Sequence, residues 1–331
     1  MLLHNRVNRT AQTLGNSDSD DDLEYDYRPL LAPIEPWLQA ADWAVCHMEV
    51  PLSADNTRLR PFPTFRAPGD IAASAKALGY DSCTTASNHT LDQGSSGVHE
   101  TLEVLEAAGL HSTGAARSAE EAESQIWLDL GGVRVAHFSY TYSFNGFRLP
   151  SDSPWMSNLI DPDEILTRTT QARNDGAEYV IVSLHWGNEY VHTPNYQQSQ
   201  LGPQLLASPD IDLIIGHHAH VVQPIDRIDD EWLVYGLGNL LSNMSAGVRR
   251  DELLVTVTVD EQLNGSFTTS LEVVPLYMDY NNVTVYPSAP SLRPNDLPDW
   301  LDQELDSSWD RVRSVLEDGS AWDDLGLPPV S

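Results

Sequence analysis

The chain has 331 residues, is 41% hydrophobic and carries a formal net charge of −31, with Lys76 its only lysine. That length can bury a large core, and it suits one big α/β domain with an appendage at least as well as two domains. So acidic a chain argues against nucleic acid as a partner, because binding phosphates needs a basic surface.

Met1, Leu2 and Leu3 form a short apolar start that runs into polar sequence, and an acidic run over 17–24 reads as an exposed loop. A helix is expected over 30–41, opening near Pro33 and Pro36. The apolar run 43–50 reads as a strand that stops at Glu49, with Pro51 closing it. Residues 70–78 have helical spacing with Asp70 placed as a cap, and 80–86 reads as the next buried strand. It ends in Ser87, Asn88 and His89, with Asp92 beyond, before an amphipathic helix over 98–108. Cys46 and Cys83 each lie inside an apolar strand pattern, so two buried free thiols are expected.

From Ile126 the pattern is strand, turn at Gly131 and Gly132, and strand over 133–140, followed by a loop at 142–145. The segment 147–162 is rich in Pro, Ser and Asp and reads as a surface loop able to act as a lid. A helix over 163–172 precedes a buried strand over 179–185 that ends in His185, with Glu189 just past it. After a helix over 197–206, a mostly apolar run from Ile211 breaks at Gly216 and releases His217, His218 and His220 together. A hairpin is expected over 224–235 leading to Asn239, then antiparallel strands over 252–259 and 268–278 around Asn264 and Gly265. The chain closes with an amphipathic helix over 299–316 and a loose tail from Gly326, which suggests a domain over 1–285 and a C-terminal helix and tail over 286–331.

Taken singly, each strand end has an ordinary explanation. Together they place Glu49, Asn88 with His89, His185, and His218 with His220 at successive strand ends, where unpartnered polar groups cost desolvation energy. Carboxylate, amide and imidazole groups are ligands for divalent cations, so the repetition points to a metal site. No basic segment followed by an apolar one opens the chain, and no stretch approaches the roughly 20 apolar residues of a membrane span. As written it is expected to be soluble and cytoplasmic, with cell-envelope association if a segment precedes Met1.

The series His47, Glu49 and Pro51, then Asn88, His89 and Asp92, then His185, Gly187 and Glu189, then Gly216 to His220, then Gly238 and Asn239, resembles the poly-gamma-glutamate synthesis (CapA/PgsA) family. That family belongs to the calcineurin-like metallophosphatase superfamily. The resemblance implies a four-layer α/β/β/α sandwich with two divalent metal ions (Mn, Fe, Zn or Ca). It implies Glu49 as a bridging carboxylate, Asn88 as an amide ligand, His185 and His218 on one metal and His220 on the other. His89 is implied as the catalytic group that protonates a leaving oxygen. His47, Asp92, Glu189, His217 and Asn239 are implied as supports of the ligands or as substrate contacts.

In one respect the chain departs from the family. Its first strand normally ends in a Gly-Asp pair whose aspartate binds metal, whereas Met1 stands where the following residue belongs, so the N-terminal strand is expected to be truncated. The reading that follows is a metal-dependent hydrolase of phosphoesterase type acting on an anionic small molecule or polymer. The alternatives are a metal-dependent epimerase or amide-bond enzyme acting on a glutamyl or peptide substrate, and a non-catalytic accessory protein that handles the polymer.

Overall fold

The computed structural model describes residues 1–17, 23–123, 126–245 and 247–329, so most of the acidic run at 17–24 and the last two residues of the tail lie outside the described residues. The chain forms two compact units, Met1–His185 with Leu241–Asn243, and Trp186–Leu240 with Met244–Ser331. Secondary structure is mixed α/β with parallel strands, the class expected. Among the described residues no helix is long and apolar enough to cross a membrane.

The first unit begins with buried Met1, Leu2 and Leu3, then α1 (Asn5–Gly15), a helix the sequence pattern did not announce. The helix expected over 30–41 is broken into α2 (Arg28–Leu31), a 3-10 turn at Ala32–Ile34 and α3 (Glu35–Ala40). Pro33 and Pro36 lack the amide hydrogens that a continuous helix would use. Next come β1 (Val45–His47), β2 (Leu52–Ser53), β3 (Ala67–Pro68), α4 (Asp70–Leu78), β4 (Ser82–Thr84), α5 (Gly94–Ala107), β5 (His111–Thr113) and α6 (Ala119–Glu123). Gly69, not Asp70, caps α4; the Asp70 carboxylate instead accepts the Tyr25 amide at 2.9 Å. Helix α5 buries Val98, Thr101, Leu102 and Leu105, one face of a 3.6-residue period.

Strands β1, β4 and β5 form a parallel sheet in that order, with Cys46 opposite Cys83. The expectation of free thiols is therefore corrected. Their Cα atoms are 4.4 Å apart on adjacent strands, and the two cysteines form a disulfide.

Strands β6 (Ile126–Leu130) and β7 (Val133–Thr141) are the expected hairpin, its turn made by Gly131 at φ +65° and Gly132 at φ +99°. Two successive positive φ angles are what a tight hairpin turn demands and what glycine supplies without strain. The lid expected at 147–162 is pinned in its second half. Asn158 donates to the Gly114 carbonyl at 3.0 Å and accepts from the Thr141 amide at 2.9 Å. After α7 (Pro162–Asn174), capped by the Asp161 carboxylate, β8 (Tyr179–His185) runs parallel to β7 and pairs Thr141 with His185.

In the second unit, α8 (Tyr196–Leu206) opens with a capping box between Asn195 and Gln198 and precedes β9 (Leu213–His217). Strand β10 (Ile225–Ile228) pairs antiparallel with β11 (Glu231–Val234), which runs parallel to β9. A Cβ at Gly216 in β9 would lie on the Tyr235 carbonyl oxygen and 2.6 Å from Trp186 Nε1. Gly216→Ala is accordingly expected to destabilise the fold by about 3 kcal/mol, read from urea denaturation, since backbone cannot yield as a flexible side chain can.

Strands β12 (Asp251–Glu261), β13 (Phe267–Asp279) and β14 (Thr284–Pro287) form an antiparallel sheet on which α9 (Asp299–Leu316) packs. Helix α9 buries Leu301, Leu305, Trp309, Val312 and Leu316, and Arg311 grips Asp251 with two bonds of 2.7 Å. Residues 286–329 fall within the second unit. Within the expected tail, Gly326 is held in place, its amide and carbonyl bonding Leu271 and Val273 at 2.9 Å each.

Candidate functional site

Parallel strands leave their carboxyl ends on one edge, and in the first unit that edge gathers most of the expected residues. After β1 the chain places Glu49, whose carbonyl accepts the Ser87 hydroxyl at 2.6 Å. The same hydroxyl oxygen accepts the His89 amide at 3.1 Å, so the β1 and β4 ends are locked together. Glu49 and Asn88 are both buried.

Asn88 Nδ2 donates to Asn145 Oδ1 at 3.2 Å, and Asn88 Oδ1 lies 3.0 Å from His185 Nε2. His185 Nδ1 is 3.0 Å from His47 Nε2, and His47 Nδ1 is 2.7 Å from the Thr84 hydroxyl. With its proton on Nδ1 and donated to His47, His185 keeps the Nε2 lone pair for a cation. Tyr142 stacks on the His185 ring at 6.4 Å. Two ligand atoms each about 2.1 Å from one cation, at right angles, sit roughly 3 Å apart. The Asn88 Oδ1 and His185 Nε2 separation matches that spacing.

His89 and Asp92 form a buried pair, Nδ1 to Oδ2 at 2.7 Å, and the same carboxylate oxygen accepts the Phe65 amide at 2.7 Å. The Phe65 ring meets His89 edge-on at 4.8 Å. With its Nδ1 committed to Asp92 and its ring held by Phe65, His89 has only Nε2 to offer for proton transfer.

In the second unit, β9 ends at His217, whose backbone carbonyl accepts the Trp186 amide at 3.2 Å. Beyond it, His218 has φ +86° and His220 φ +54°. Non-glycine residues pay for such angles, and they concentrate where a side chain must be aimed. Tyr190, at φ +65°, donates its amide to the Ala219 carbonyl at 2.7 Å and so holds the Glu189 segment against this turn. The ligand-type atoms of exposed Glu189 and buried His218 and His220 all lie within 4.8 Å of one another. Asn239 Oδ1 accepts from His220 Nδ1 at 2.7 Å, and Asn239 Nδ2 donates to the His220 and Arg249 carbonyls at 3.2 and 2.9 Å. That arrangement fixes the tautomer in which His220 Nε2 keeps its lone pair.

Two imidazoles and one carboxylate are a donor set suited to a divalent transition metal. Glu189 was expected to support ligands or meet substrate; its place among the donor atoms depends on the left-handed turn at Tyr190, which leaves no mark in residue type. Thr84 and Arg249 were not singled out as partners of the site from sequence, whereas the 142–145 loop that carries Asn145 was expected to contact substrate.

Residues 1–244 match the family described as Bacterial capsule synthesis protein PGA_cap. The chain belongs to that family. The capsule biosynthesis protein CapA of Bacillus anthracis is 26% identical over 250 residues, covering 73% of this chain and 60% of that protein. The PGA biosynthesis protein CapA of Bacillus subtilis is 26% identical over 297 residues, 88% of this chain and 74% of that one. This PGA_cap chain thus spans well under the full length of both relatives. Among solved structures, a putative 5'-nucleotidase from Staphylococcus aureus covers 73% of this chain and 44% of its own at 15% identity, with a TM-score of 0.45. The calcineurin-like phosphoesterase YfkN from Bacillus subtilis covers 73% and 75% at 14% identity, with a TM-score of 0.38.

Proposed function

We infer that this PGA_cap protein is a divalent-metal-dependent hydrolase of phosphoesterase type that works on an anionic substrate. The observation that carries the reading is the convergence of Glu189, His218 and His220, with Asn239 fixing the His220 tautomer. Glu189, His218 and His220 would hold one cation; Asn88 and His185, with Glu49 as carboxylate, would hold a second. A cation so held supplies Lewis acidity toward a phosphoryl or carbonyl oxygen.

The chain's own residues do the rest. His47 fixes the His185 ring through Nδ1, and Thr84 fixes His47 in turn. Asp92 holds His89 so that its Nε2 delivers a proton to the departing oxygen. Glutamyl polymers enter through the relatives named for PGA biosynthesis, and a polyanion suits a site built on cations better than it suits the acidic chain as a whole.

Turnover of bis-p-nitrophenyl phosphate with added Mn²⁺, falling by about 100-fold or more in His185→Ala, is the expected result. Absence of turnover with Mn, Fe, Zn and Ca alike would sink the hydrolase reading. Solvent deuterium entering a substrate α-carbon would favour the epimerase alternative instead.

A further inference from the structure

The second unit contains six cationic side chains, all arginines. Five of them face carboxylates: Arg227 meets Asp230 and Asp324, Arg250 meets Glu304, Arg293 meets Asp302 and Asp306, Arg311 meets Asp251, and Arg313 meets Glu317. Arg249 differs. Among the described residues it pairs with no carboxylate, and its guanidinium lies 3.6 Å from the centre of the Tyr190 ring.

Its position is fixed from two sides. Tyr190 stacks on His220 with ring centroids 5.8 Å apart and 29° between planes. The Arg249 carbonyl is held by Asn239, the same side chain that holds His220. Arg249 is half-buried and Tyr190 is 37% exposed, so a ligand reaches both. A guanidinium stacked on an aromatic face keeps its edge donors free and loses less entropy when it forks onto a carboxylate.

We propose that Arg249, braced by Tyr190, is a carboxylate-recognition subsite beside His220, and that it engages a second anionic group of a substrate whose first lies at the Glu189, His218 and His220 group. A ligand that spans both carries at least two anionic groups, as the glutamyl polymers considered above do. Through that placement the inference rests on the metal reading above, although the subsite consists of Arg249 and Tyr190 alone.

Binding of a γ-linked glutamyl pentamer is measured by calorimetry on the full chain, with and without Mn²⁺, alongside Mn²⁺ content. Arg249→Gln is expected to weaken binding by about tenfold in both conditions, the worth of one charge-assisted fork, while Mn²⁺ content stays at the wild-type level. Arg249→Lys should recover only part of the loss, and Tyr190→Leu should weaken binding severalfold by releasing the guanidinium. Wild-type affinity in Arg249→Gln at unchanged Mn²⁺ content overturns the subsite, as does a wild-type protein that fails to bind the pentamer in either condition. A loss confined to inorganic phosphate overturns the carboxylate assignment. Arg249-dependent pentamer binding without Mn²⁺ uptake keeps the subsite and removes the metal reading.

Discussion

His218→Ala should lower Mn²⁺ affinity by about 100-fold or more, because one of three ligands is lost and water replaces it poorly. Glu189→Gln should cost about tenfold, since a neutral amide oxygen keeps the geometry and loses the charge. Asn239→Ala, which removes no ligand, should also cost about tenfold by freeing the His220 ring to turn. Calorimetric titration with Mn²⁺ ranks the three. Because His218 sits at φ +86°, the His218→Gln variant and a circular dichroism spectrum separate ligand loss from unfolding. Equal affinity in all variants and wild type would place the cation elsewhere.

Glu252→Gln should stabilise the protein at pH 8 and flatten its stability between about pH 5 and 8. Glu252 stands buried at the start of β12, where desolvation pushes its carboxyl from 4.5 up to about 8, with neighbouring Asp251 adding to the rise. Between those values the unfolded chain has released the proton that the folded chain keeps. The folded state then binds more protons, so stability is full below about 4.5 and is lost as pH climbs toward 8. The slope reaches at most about 1.4 kcal/mol per pH unit. A gain of about 3 kcal/mol for the variant at pH 8, and little at pH 5, is expected from urea denaturation; an unchanged slope would contradict it. His137 in β7 has the opposite sign, because burial pushes it from 6.5 down to about 4. Its contribution is present above 6.5 and is lost as pH falls through 4.

Elements with a full apolar face were legible in the sequence. Helices α4 and α9 and strand β8 fall on the expected residues, because each carries an unbroken 3.6-residue stripe or a continuous apolar run. Helix α1 was not, since it buries only Val7, Ala11 and Gly15, small residues that make a faint stripe in a polar segment. The Cys46 to Cys83 bond was missed for a different reason. It depends on β1 and β4 being neighbours in register across 37 residues, which no local pattern encodes. Strand order also hides the site's finer wiring. The strand-end rule singles out Glu49, Asn88, His185, His218 and His220 from sequence, while the His47 to Thr84 contact and the place of Glu189 arise from pairing and from a left-handed turn.

Crystals soaked in Mn²⁺ and measured at its absorption edge test the central claim most directly. An anomalous peak within about 2.3 Å of the Glu189 carboxylate and the His218 and His220 rings is the result expected. A saturating soak that leaves no peak at those three side chains would contradict it.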